Sequence, residues 1–115
     1  MATINRFEEI IAWQKSKDLA VLLYKTFNTI GDTSFRKQIQ RATVSISNNI
    51  AEGFERQTNK EFKNFLYIAK GSAGEVRSML SIALELTYIT EEQYKDYSFK
   101  TIEISKLLSG LIKTL

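Results

Sequence analysis

Apolar residues recur at steps of three and four along four stretches of the chain, and short polar stretches rich in turn and cap residues separate them. The first periodic stretch runs from about Glu8 to Thr29, with Trp13, Ala20, Leu23 and Phe27 on one stripe and Leu19 and Leu22 beside it. "NTIGDTS", Asn28 to Ser34, ends it. The second runs from about Ser34 to Phe54 through Ile39, Ala42, Ile46, Ile50 and Gly53. "TNKE", Thr58 to Glu61, has the form of a capping box and opens a third stretch, in which Phe62, Leu66, Ala69, Ala73, Val76, Leu80 and Ala83 alternate at steps of four and three. A second capping box, Thr90 to Gln93, precedes Tyr94, Tyr97, Ile104, Leu108, Leu111 and Leu115. Short connections make successive helices antiparallel, and the 4-3 spacing favours near-aligned packing. The pattern predicts an all-α, up-down-up-down four-helix bundle, with residues 1–115 as one domain.

Composition narrows the chemistry. Pro is absent and Gly occurs five times, as uninterrupted helices require. Cys and His are also absent, which removes disulfides, thiolate or imidazole metal ligands, and Ser-His or Cys-His nucleophile pairs. No cofactor motif and no metal site is expected. No apolar run is long enough for a membrane span, and "MATINRFEEI" lacks a signal-peptide layout, so the expectation is a cytoplasmic protein without membrane contact.

The second helix raises a question of its own. Ser45, Ser47, Asn48 and Asn49 crowd its middle, although Ser and Asn are mediocre helix formers. Gln38, Arg41, Ser45, Asn49, Glu52 and Arg56 follow one another at helical steps beside the apolar stripe. On the third helix, "AKGSAGE" places Gly71 and Gly74 mid-helix, at about 1 kcal/mol each relative to Ala. Together these features predict a tight helix–helix or subunit contact, with Asn49 and Glu52 at least partly buried and hydrogen-bonded.

"QIQRATVSISNNIAEGFER" followed by "KEFKNFLYIAKGSAGEV" resembles the signature of the bacterial four-helix-bundle proteins named for 23S rRNA intervening sequences. The resemblance rests on Gln38, Ile39, Arg41, Ala42, Ser45, Ile46, Asn49, Ile50, Ala51, Glu52 and Gly53. It continues through Glu61, Phe62, Phe65, Leu66, Ile68, Ala69, Gly71, Ser72 and Glu75, and Ala12 to Ala20 resembles the family's opening. Ser47 stands where many members carry Pro, and Phe35 where Leu is usual. The resemblance implies a homo-oligomer, typically a ring-like pentamer, with no settled enzymatic activity. It also implies a fold similar to that of the accessory proteins of diversity-generating retroelements, which bind nucleic acid.

Charge gives the independent functional signal. Residues 34–77 carry eight basic side chains against four acidic, whereas the rest of the chain has no basic excess. The formal net charge is +3. Such a basic surface attracts phosphate without reading sequence. Arg36, Lys37, Arg56, Lys60, Lys63 and Lys70 are the expected RNA or DNA contacts, although the starts of helices two and three lie at opposite ends of an antiparallel bundle. The expected function is a non-catalytic homo-oligomer that binds nucleic acid. The alternative is an oligomeric scaffold for a protein partner. Glu52 and Glu75 are the only carboxylates that could form a catalytic pair, and holding Arg or helix ends suits them better. Apolar coverage wider than one stripe, from Ile10, Ile11, Trp13, Leu19, Leu22 and Leu23 on helix one and Phe65, Ile68, Met79 and Ile82 on helix three, supports self-association.

Overall fold

Caps set the helix boundaries. Asp32 accepts the Phe35 amide and starts α2 (Thr33–Phe54), and Thr58 accepts the Glu61 amide and starts α3 (Asn59–Glu85). Thr90 and Gln93 form a reciprocal capping box at the start of α4 (Glu91–Lys113). At Thr58 only half of the expected box is present, because the Glu61 carboxylate accepts the Thr58 hydroxyl at 3.1 Å. This computed structural model describes residues 3–115. Met1 and Ala2, the first two residues of the stretch inspected for a leader, lie outside the described residues.

The first helix differs from its sequence reading. A short 3₁₀ turn (Phe7–Glu9) is followed by Ile10 in extended conformation, and α1 (Ile11–Phe27) begins only after it. Phe7 folds back edge-on against Trp13, with ring centroids 5.1 Å apart, and the Gln14 side chain donates to the Glu8 carbonyl at 2.7 Å. Ile10 is thereby buried where a continuous helix was expected.

Each helix packs on its chain neighbours, and α1 closes the bundle against α4; no Cα atoms of the diagonal pairs lie within 8 Å of each other. The result is a four-cornered bundle 44 Å long. The predicted stripes of α2 and α3 are buried throughout, from Ile39 to Gly53 and from Phe62 to Ala83. Leu19, Leu23 and Phe27 of α1 and Tyr97, Ile104 and Leu108 of α4 complete the core. No helix among the described residues is long and apolar enough to cross a membrane.

Inside the chain, the α3 glycines do not make the helix–helix contact that was one of the two roles expected of them. A Cβ added to Gly71 or Gly74 meets nothing within 4 Å, so neither marks a close approach inside the chain. Gly53 does that instead: its Cβ would lie 2.5 Å from the Cβ of Phe65. There α3 lies close against the α2 backbone, just before the turn between the two helices. Outside the core, Ile68 and Ile82 of α3 are about half exposed.

Candidate nucleic-acid interface

The polar stripe of α2 divides into two parts. One part knits α2 to α3. Gln38 donates to Glu75 at 3.4 Å, and the Ser45 and Ser72 hydroxyls share a hydrogen bond at 2.9 Å. The Asn49 side-chain amide donates to the Ser45 carbonyl at 2.8 Å and to its hydroxyl at 3.0 Å. At the end of this seam Arg56 pairs with Glu52 at 3.3 Å and Glu61 at 3.9 Å, and its guanidinium lies 4.8 Å from the Phe65 ring centre. Asn49 is half-buried and bonded as expected, but Glu52 is exposed and holds Arg56 from the surface. Gly53 faces Phe62 and Phe65 of α3, and its missing Cβ makes room for them.

The other part faces solvent. Lys37, Gln40, Arg41, Val44, Ser45, Asn48 and Asn49 line a shallow groove of about 490 Å³ along α2, closed at one side by Tyr24 of α1. The Gln40 side chain donates to the Tyr24 carbonyl at 3.4 Å. No carboxylate lines the groove. Arg41, expected in the packed seam, is exposed here, as is Lys37, and neither makes an ion pair among the described residues.

The six basic residues expected to meet nucleic acid are not gathered in one place. Arg36 donates to the Asn28 carbonyl at 3.4 Å, beside the exposed Lys37 at the start of α2. Arg56, Lys60 and Lys63 lie at the opposite end, about 25 Å away along the helix axis. Lys70 turns toward α4 and donates to the Ser109 hydroxyl at 2.7 Å. Sequence reasoning missed the groove because it placed Arg41 in the packing stripe and overlooked Tyr24, Gln40 and Asn48. The available signal was spacing, since Lys37, Arg41, Ser45 and Asn48 fall on one side of an ideal helix.

A second surface is apolar. Between α1 and α4 a groove of about 730 Å³ is lined by Ile4, Ile11, Phe99, Ile102, Leu107 and Leu111 among others. Phe99 is 68% exposed. Elsewhere, Tyr67 and Ile68 near the middle of α3 and Ile82 and Leu86 at its end are exposed apolar residues. Among the described residues, no group of three or more carboxylates could hold a metal ion.

A family model described as 23S rRNA-intervening sequence protein matches residues 8–110, which span all four helices and the seam. The chain belongs to this family. A crystal structure at 1.70 Å of a protein of unknown function from the S23 ribosomal protein family, from Bacteroides thetaiotaomicron VPI-5482, shares 36% sequence identity with it. That match covers 90% of this chain and 99% of the other, with a TM-score of 0.84. No curated protein matches the chain. Within this 23S rRNA-intervening sequence protein, the signature positions thus form the Ser45–Asn49–Ser72 seam, the Gly53 contact and, at Arg41, part of the solvent-facing groove.

Proposed function

We propose that this protein is a non-catalytic, homo-oligomeric accessory factor that binds RNA or DNA through its basic helices α2 and α3. The observation that carries the reading is the set of cations on these helices without acidic partners. Lys37, Arg41, Lys60 and Lys63 make no ion pair among the described residues, whereas Glu52 and Glu61 are both engaged by Arg56. Cations not neutralised within the fold release counterions when they meet phosphate, and a cyclic assembly multiplies the effect. The family's name refers to 23S rRNA, and that of the Bacteroides relative to a ribosomal protein family; both agree with an RNA-side role.

Self-association draws its support from the apolar residues left exposed at the α1–α4 groove and on α3, Ile11, Phe99, Ile68 and Ile82 among them. Heterologous contacts between two such surfaces close into rings, and a pentamer is the assembly the family resemblance implies. The same apolar groove also favours the second reading, a scaffold that presents the α1–α4 face to a protein partner.

The test is retention of the purified protein on RNA and DNA at about 50 and about 200 mM salt, with the assembly mass measured in parallel. Retention that weakens strongly with salt is the expected result. Replacing Lys37, Lys60 and Lys63 together with Glu should abolish it while leaving the helical signal intact. Absence of retention at the lower salt would end the nucleic-acid reading and leave the scaffold.

A further inference from the structure

We propose that the α2 groove between Lys37 and Asn49 is a binding site for single-stranded nucleic acid, with Tyr24 as its stacking platform. This inference rests on the nucleic-acid reading above and adds the strand type and the residues. The first support is the chemistry of the lining: Lys37 and Arg41, the amides of Gln40, Asn48 and Asn49, Ser45, Val44 and Tyr24, with no carboxylate. Gln40 and Asn49 are already bonded, to the Tyr24 carbonyl and to Ser45, which leaves the Asn48 amide free. Glu75 accepts from Gln38 across the α2–α3 seam and Asp32 accepts from Tyr88 at the end of the bundle, and neither lines the groove.

The second support is the use made of the polar run in α2. Ser45 and Asn49 serve the seam to Ser72, and Ser47 is buried with its hydroxyl on the Val44 carbonyl at 3.1 Å. Asn48 serves neither purpose: it is exposed and lines the groove with Arg41. Asn lowers helix propensity, and no internal contact offsets that cost at this position. An amide there suits recognition of a base edge.

Geometry supplies the third. Lys37 and Arg41 are one helical turn apart, about 6 Å along the axis, which is close to the spacing of adjacent phosphates in an extended strand. Tyr24 is 45% exposed beside them. An exposed aromatic ring flanked by cations and amides stacks an unpaired base while its neighbours hold the backbone and read the base edge. A duplex keeps its bases stacked on each other and offers Tyr24 nothing to stack on.

The experiment measures binding of a fluorescently labelled oligouridylate of about 12 nucleotides, and of a duplex of the same length, to the assembled protein at low salt. Tyr24→Leu should weaken single-strand binding about fivefold or more and leave duplex binding unchanged, and Tyr24→Phe should restore it. Arg41→Gln should weaken both. If Tyr24→Leu and Arg41→Gln bind like the parent while Lys60→Gln with Lys63→Gln removes binding, the groove assignment is overturned and the nucleic-acid reading survives. If the parent binds neither probe, both are overturned. A change of assembly mass in the Tyr24 variants, with single-strand affinity unchanged, would make the groove a contact between copies and refute the proposal.

Discussion

The Tyr88 hydroxyl donates to the Asp32 carboxylate at 2.8 Å, joining the connection between α3 and α4 to the first residue before α2. The same carboxylate accepts the Phe35 amide, and the Phe35 ring meets Tyr88 edge-on with centroids 5.3 Å apart. The Phe35 amide first, and the Tyr88 hydroxyl second, hold the Asp32 carboxyl below the usual carboxylate range, while the Tyr88 phenol is raised by the hydrogen bond to Asp32. A folded-state pKa below the unfolded one makes the Asp32 contribution complete above about pH 4 and lost as pH falls through the lower folded value. The raised phenol makes the Tyr88 contribution complete below its ordinary range and lost as pH rises through the higher folded value. Tyr88→Phe should therefore unfold more easily than the parent at pH 7. Denaturation at a series of acid pH values should show the gap closing as Asp32 protonates; a gap that stays constant would refute the linkage.

The glycines divide by what lies over them. Gly53→Ala should destabilise the bundle by about 1–3 kcal/mol, since Phe65 contributes a Cβ close to its backbone and α3 must move. Gly71→Ala and Gly74→Ala meet open space within the chain and should each stabilise by about 0.5–1 kcal/mol through helix propensity. Chemical denaturation of the three variants decides between these signs. A loss of stability or assembly at Gly71 or Gly74 would show that another copy packs on that face.

Thr87 follows α3 with φ at 59°, the left-handed region that β-branched residues avoid. Around it the Tyr88 amide donates to the Ala83 carbonyl at 2.8 Å and the Thr87 amide to Leu84 at 3.0 Å, the hydrogen bonds of a Schellman cap. Thr87→Gly should raise stability by about 0.5–1 kcal/mol, read as a higher melting temperature.

Phe99 offers a test of the proposed self-association. Phe99→Asp, at an exposed site on the rim of the α1–α4 groove, should change the stability of the folded subunit by less than about 0.5 kcal/mol. In light scattering it should lower the assembly mass. An unchanged mass would remove this groove from the subunit contact.

Much of the fold was legible because helix periodicity and capping chemistry are local. The Phe62-to-Ala83 stripe and the Thr90–Gln93 box are found where the sequence puts them. What failed depends on neighbours that a period does not encode. Gly53 and Gly71 are equally helical, yet only Gly53 lies under Phe62 and Phe65. Of the residues read as surplus apolar surface, Ile68 and Ile82 are uncovered as expected, whereas Met79 and Ile10 are buried in the core. The break at Ile10 follows from Phe7 reaching Trp13, a contact between side chains that composition does not announce. At the candidate site, the basic excess of residues 34–77 was visible, but its separation into two ends and a groove required the bundle. Arg41 was assigned to the seam because it shares the spacing of Ser45 and Asn49; the rotation of α2 against α3 turns it outward.

The closing of α1 against α4 brings Ile4 to the same groove as Leu111 and Thr114. With the first and last parts of the described chain side by side, the order in which the four helices are linked carries little of the architecture. A circularly permuted chain, joined across this groove by a short flexible peptide and reopened in the α2–α3 turn, should build the same bundle. The join would then cross the apolar α1–α4 surface, whereas the groove between Tyr24 and α2 would keep its native α1–α2 connection.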